Sequence, residues 1–149
     1  MFLLWALWLL WLWQPERQVR LHTTHFLKKV EQRNWNGARS FLAEDFKDRW
    51  GHDANASISD AHEVFSHFLF LTIENRTDHI DWQGADGTAR TVVKITGTGD
   101  PIAQMVMERV NTLHEPFAFT WRRTGRAPWA WKLVFIDDPA LNIDTSGAF

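Results

Sequence analysis

The hydrophobic period of this chain changes once, near Ile73, and that change limits the possible folds more than any other feature. Before it, apolar residues recur at helical spacing; after it they alternate, as on strands with one buried face. Val19, Thr23, Phe26, Leu27 and Val30 mark an amphipathic helix that opens at Pro15, where a missing N–H costs nothing. Asn34-Trp35-Asn36-Gly37 breaks it, and Asn36 stands where it would cap a second helix with the stripe Ala38, Phe41, Leu42 and Phe46. Ser57-Ile58-Ser59-Asp60 reads as a capping box for a third, whose stripe runs Ala61, Val64, Phe65, Phe68 and Leu69. Ile80 to Trp82 then leads into Gly84-Ala85-Asp86-Gly87, a hairpin signal, and Thr91, Val93 and Ile95 alternate beyond it. Gly97 to Pro101 turns the chain. Met105–Val110, Phe117–Arg122 and Trp131–Ile136 complete a meander. Helices first and strands afterwards predict an α+β fold, with the helices on one face of an antiparallel sheet.

A different segment precedes this pattern. From Met1 to Trp13 no side chain is polar, and Trp5, Trp8, Trp11 and Trp13 punctuate the run. A helix of a small domain has one apolar stripe; this one is apolar on every face. Thirteen residues reach roughly 20 Å, short of the roughly 30 Å hydrocarbon core. The segment is read as an uncleaved membrane anchor or interfacial insertion. A signal peptide and a helix tucked into the fold are the rivals, and the bulky exit Trp11-Leu12-Trp13-Gln14-Pro15 lacks the small residues of a cleavage site. Arg17, Arg20, Lys28, Lys29 and Arg33 follow, against Glu16 and Glu31, so the positive-inside rule favours the cytoplasmic side for the folded part. The organisation expected is an anchor over 1–14, one domain over 17–139 and a tail over 140–149.

A net charge of −2 supplies no basic field, so nucleic acid is not an expected partner. The chain has no Cys and no Tyr, which excludes disulfides, thiolate chemistry and any tyrosine phenol. It has seven His, but neither His22/His25 nor His62/His67 comes with a carboxylate at metal-binding spacing. No metal and no cofactor is expected.

Asn34-Trp35-Asn36-Gly37-Ala38 and Phe41-Leu42-Ala43-Glu44-Asp45-Phe46 resemble the loop-and-helix signature of the nuclear transport factor 2-like superfamily, which includes the SnoaL-like domains. The capped third helix, the strand–Asp-Gly–strand unit and the closing Trp131-Lys132-Leu133 agree, from about Val19 to Ile136. The resemblance implies three helices packed on a curved sheet to form a cone, a fold that serves isomerases, dehydratases, hydrolases and cyclases as well as binding and dimerisation modules. Laid over the isomerases of this superfamily, the oxyanion-donating tyrosine falls at Phe26 and the carboxylate base at Trp50. Neither side chain can do that work.

No catalytic residue is therefore assigned. Phe26, Trp50, Phe65 and His67 are the expected lining of the cone, and the leading reading is a membrane-associated domain that holds an apolar small molecule or a protein partner without catalysis. The alternatives are a SnoaL-like enzyme using His67, Glu74 or Arg109, and an assembly module at the membrane. Phe117, Phe119 and Trp121 share a strand face: packed on the helices they are core, and on the outer face they would form a homodimer interface, as the resemblance also implies.

Overall fold

The structure is a computed structural model that describes residues 1–12, 14–112, 115–127 and 129–137. Its frame is a five-stranded sheet in the order β1 (Leu42–Asp48), β5 (Trp131–Asp137), β4 (Phe117–Arg123), β3 (Asp86–Gly99), β2 (Phe68–Gln83). The fold is α+β, with helices packed on a curved sheet. Neighbouring strands are antiparallel except β1 and β5, which are parallel, so the sheet is mixed where a wholly antiparallel meander was expected.

Helix α2 (Pro15–Glu31) carries the expected stripe, with Val19, Thr23, Phe26, Leu27 and Val30 all buried. It ends with the N–H of Asn34 bonded to the Lys29 carbonyl and that of Arg33 to Val30, which satisfies carbonyls the helix would otherwise leave open. Arg33 takes φ 56 there, a conformation more often given to glycine.

The helix also runs antiparallel along β2 and closes that edge. Arg20 donates to the Thr77 carbonyl (2.6 Å), Glu31 accepts the Ile73 N–H (2.7 Å), and Arg33 donates to the Leu69 carbonyl (3.2 Å). An open strand edge is a template for another chain, and these side chains occupy it. Burial pushes the Glu31 carboxyl up, but Lys28 and the Ile73 N–H together hold it below the usual carboxylate range.

The expected second helix is cut short. Helix α3 (Trp35–Ser40) begins at Asn34, whose side chain accepts the Gly37 N–H, and β1 starts at Leu42. Leu42 and Phe46 are both buried, as expected, but a spacing of four puts two residues on one face of a strand as well as of a helix. The choice is tertiary: the Leu133 N–H donates to the Phe41 carbonyl (2.7 Å) and draws this stretch against β5.

Helix α4 (Ala54–Phe65) starts ahead of the expected capping box, because the Asp53 side chain accepts the Ala56 N–H. It ends at Phe65, so Phe68 and Leu69 belong to β2, with Phe68 buried and Leu69 exposed.

Met105–Val110, read as a strand, lies in helix α5 (Pro101–Asn111). Asp100 caps it, Pro101 opens it, and Ala103, Val106, Met107 and Val110 are its buried stripe. Strand β4 pairs with β3 only over Gly87–Thr91. Beyond that the Asn111 side chain accepts from the Ile95 N–H and donates to its carbonyl.

The β2–β3 hairpin turns at Gly84-Ala85, with Gln83 opposite Asp86. Gly84 has φ 62, the positive value a two-residue hairpin turn needs at its first centre.

Ahead of all this, helix α1 (Phe2–Leu12) exposes Phe2, Leu3, Leu4, Trp5, Leu7, Trp8 and Leu10. No helix among the described residues is long and apolar enough to cross a membrane, so a transmembrane reading of this segment is not supported. The expected tail over 140–149 lies outside the described residues.

Candidate functional site

The interior between α2 and the sheet is where the cone was expected. Odd-numbered residues of β3 and β4 face it: Ala89 stands opposite Phe119, and Gly87 opposite Trp121. Phe26 enters from α2 and is 5% exposed. Its ring centroid lies 6.0 Å from Phe41, 6.3 Å from Phe119 and 6.5 Å from Trp121, all edge-on. Such contacts set the positive edge of one ring against the negative face of the next.

The buried polar groups at this centre are matched to one another. The Trp121 Nε1–H donates to Thr23 Oγ (2.9 Å), and that hydroxyl donates to the Val19 carbonyl (2.8 Å). At the rim His22 sits edge-on to Trp121, with Nδ1 2.7 Å from the Gln18 carbonyl and Nε2 3.1 Å from that of Trp129. Aromatic carbon and closed hydrogen bonds occupy this interior.

Phe26 alone of the four expected lining residues points into that centre. Trp50 stands in the turn after β1, 45% exposed, its backbone N–H given to the Asp48 carboxylate. Phe65, half-buried on α4, stacks on Trp35 and packs beside the buried Phe68. Phe117, Phe119 and Trp121 are core rather than an outer patch, for Phe119 and Trp121 meet Phe26 and Phe117 stacks on Phe119. The outer face of the sheet carries instead Thr88 bonded to Thr120, and the ion pairs Arg90–Asp81 and Arg122–Asp86. Glu74 lies on β2 opposite Lys94, while Glu108 and Arg109 lie exposed on α5. These three do not converge. Among the described residues no three His, Asp or Glu side chains come together as a metal site.

His67 has a partner that sequence reasoning missed. Its Nδ1 lies 2.6 Å from Asp100 Oδ2, and Asp100 Oδ1 accepts the Ala103 N–H at the start of α5. That N–H first, and His67 next, hold the Asp100 carboxyl below the usual carboxylate range. A carboxylate that only accepts is matched by hydrogen on Nδ1, and Nε2 takes no part in this contact. The pair borders an open hollow of about 400 Å³ between Ser66–Leu69 and Thr98–Asp100. The nearby Ser66 hydroxyl donates to the Glu63 carbonyl (2.6 Å). The signal for Asp100 was present in Asp-Pro, a cap followed by the residue favoured at a first helical turn.

No protein-family model matches the sequence, and no curated protein matches it. Solved structures do. The chain is similar to a nuclear transport factor 2-like protein of unknown function from Pseudomonas putida (13% identity, TM-score 0.58), covering 82% of this chain and 83% of that one. It is similar to a candidate scytalone dehydratase from Novosphingobium aromaticivorans (12% identity, TM-score 0.55; 81% of this chain, 80% of that). It is also similar to Bd1075 from Bdellovibrio bacteriovorus (11% identity, TM-score 0.57), where it covers 80% of its own length and 38% of that chain. At such identities the likeness establishes the fold, which is nuclear transport factor 2-like.

Proposed function

We propose that this nuclear transport factor 2-like domain is a non-catalytic module that α1 holds at a membrane surface. One observation carries the reading: the interior in which relatives of this fold can hold substrate is packed with Phe26, Phe41, Phe119 and Trp121, while α1 leaves apolar side chains exposed on all sides. The first argues against turnover in the cone, and against an apolar small molecule there. The second argues for a hydrocarbon environment, because a helix apolar all round buries its surface in lipid or in protein. Its length of roughly 16 Å suits one leaflet rather than two. Co-sedimentation of the full chain with phosphatidylcholine–phosphatidylglycerol vesicles is expected, and Leu7→Glu should abolish it with the far-UV circular dichroism otherwise preserved. A wild-type chain that stays in the supernatant would remove the membrane half of the reading.

The His67–Asp100 pair favours a second reading, a hydrolase in which His67 Nε2 takes a proton from water attacking a small ester. Both side chains are partly exposed and, among the described residues, the nearby Ser66 hydroxyl is given to the Glu63 carbonyl and not to His67, so this reading ranks second. Hydrolysis of a chromogenic short-chain ester by the wild type and by His67→Ala decides it: equal rates eliminate it, and a loss of a hundredfold or more supports it.

A further inference from the structure

Three exposed features surround the first turns of α2, at the end of the domain from which α1 departs. The loop between β4 and β5 brings Trp129, 70% exposed, and is tied to α2 by the contact of His22 Nε2 with the Trp129 carbonyl (3.1 Å). The tip of the β2–β3 hairpin brings Trp82, edge-on to Trp131 (6.3 Å) and 41% exposed. Trp82 lies over Gly87, next to Val19: a Cβ built on Gly87 would meet Trp82 at 2.8 Å and Val19 at 3.2 Å. Arg123 and Arg126 supply the charge. The Arg123 guanidinium donates to the carbonyls of Gly125 (3.0 Å) and Arg126 (2.9 Å), which shapes the loop, and no acidic residue lies between Thr124 and Ala130.

From this arrangement we infer that the folded domain itself docks on the bilayer, through Trp82, Trp129, Arg123 and Arg126, and that its occupant is the headgroup layer of an anionic membrane. Trp rings with one apolar body and one N–H sit at that depth, and arginines beside them attract anionic phosphate. In sequence α2 follows soon after α1, so insertion of α1 brings the first turns of α2 and the face beside them to the same surface. The inference rests on the membrane reading of α1 and adds to it a fixed orientation: the hairpin tip down, and the His67–Asp100 end of the same hairpin away from the lipid.

Hydrogen exchange of the full chain, with and without phosphatidylcholine–phosphatidylglycerol vesicles, tests it. Protection is expected in residues 2–12 and also around the hairpin tip (82–87) and the β4–β5 loop (124–130). Trp129→Ser and Arg126→Glu, both at exposed positions, should each weaken vesicle partitioning about tenfold, with the thermal midpoint unchanged and with less loss on pure phosphatidylcholine for the charge reversal. Protection confined to 2–12, with both variants partitioning like wild type, would overturn the docking face and leave the α1 reading standing. No partitioning at all would overturn both. Protection of the loop that depends on protein concentration in the absence of vesicles would make the face a contact between copies, and would overturn the lipid assignment.

Discussion

Thr23 shows how a single hydroxyl decides whether the aromatic interior is stable. It is fully buried, accepts from Trp121 and donates to Val19. Thr23→Val keeps the shape but leaves the Trp121 N–H buried without an acceptor, which costs about 1–3 kcal/mol. Thr23→Ser should recover most of that loss, and urea denaturation of both variants measures the difference. Glu31 makes a prediction in pH. Its folded carboxyl titrates lower than in the unfolded chain, so its stabilisation is full above the ordinary carboxylate range and disappears as pH falls through the folded value. Glu31→Gln should therefore lower stability near neutrality by about 1–2 kcal/mol and flatten the acid side of the stability profile, leaving wild type and variant closest in strong acid.

At the scale of elements, the close approach of β2 to β3 is most demanding at Gly97. A Cβ there would lie 2.0 Å from the Phe70 carbonyl oxygen, a backbone atom that cannot swing aside. Gly97→Ala should break the hairpin near its open end, seen as loss of amide protection from Phe70 to Ile73 and a markedly lower denaturation midpoint. Part of this level was legible in the sequence: α2 has its expected stripe, but the change of period read near Ile73 falls inside β2, which already begins at Phe68, with β1 ahead of it and α5 after it. Phe41–Phe46 was not, because Leu42 and Phe46 fit either period and only the distant Leu133 selects the strand. Met105–Val110 was misread for a different reason. Its local signals, Asp100-Pro101 and an apolar spacing of three and four, are helical, but the surrounding alternation suggested more sheet. In the candidate sites, Phe26 was legible on the buried stripe of α2 and as unable to donate a hydrogen bond, but it was expected to line an open cone and not to meet Phe41, Phe119 and Trp121. The Asp100 partner of His67 was not, since the two meet only where α4 and α5 converge on the open end of the hairpin.

For the molecule as a whole, α1 and the domain should behave as separate units in water. An isolated helix of eleven residues is marginal, and α1 exposes Phe2, Leu3, Leu4, Trp5, Leu7, Trp8 and Leu10. Without lipid its amides should exchange near unfolded rates while those of β3 stay protected, and vesicles should slow α1 by at least tenfold; hydrogen exchange measures both. Crowding on a two-dimensional surface would bring many copies side by side, the circumstance in which bare sheet margins zip into continuous ribbons. The side chains of Arg20, Glu31 and Arg33, fastened along β2, deny neighbours that seam, so on the proposed membrane reading a densely covered surface would stay a carpet of individual molecules and not grow into fibres through β2.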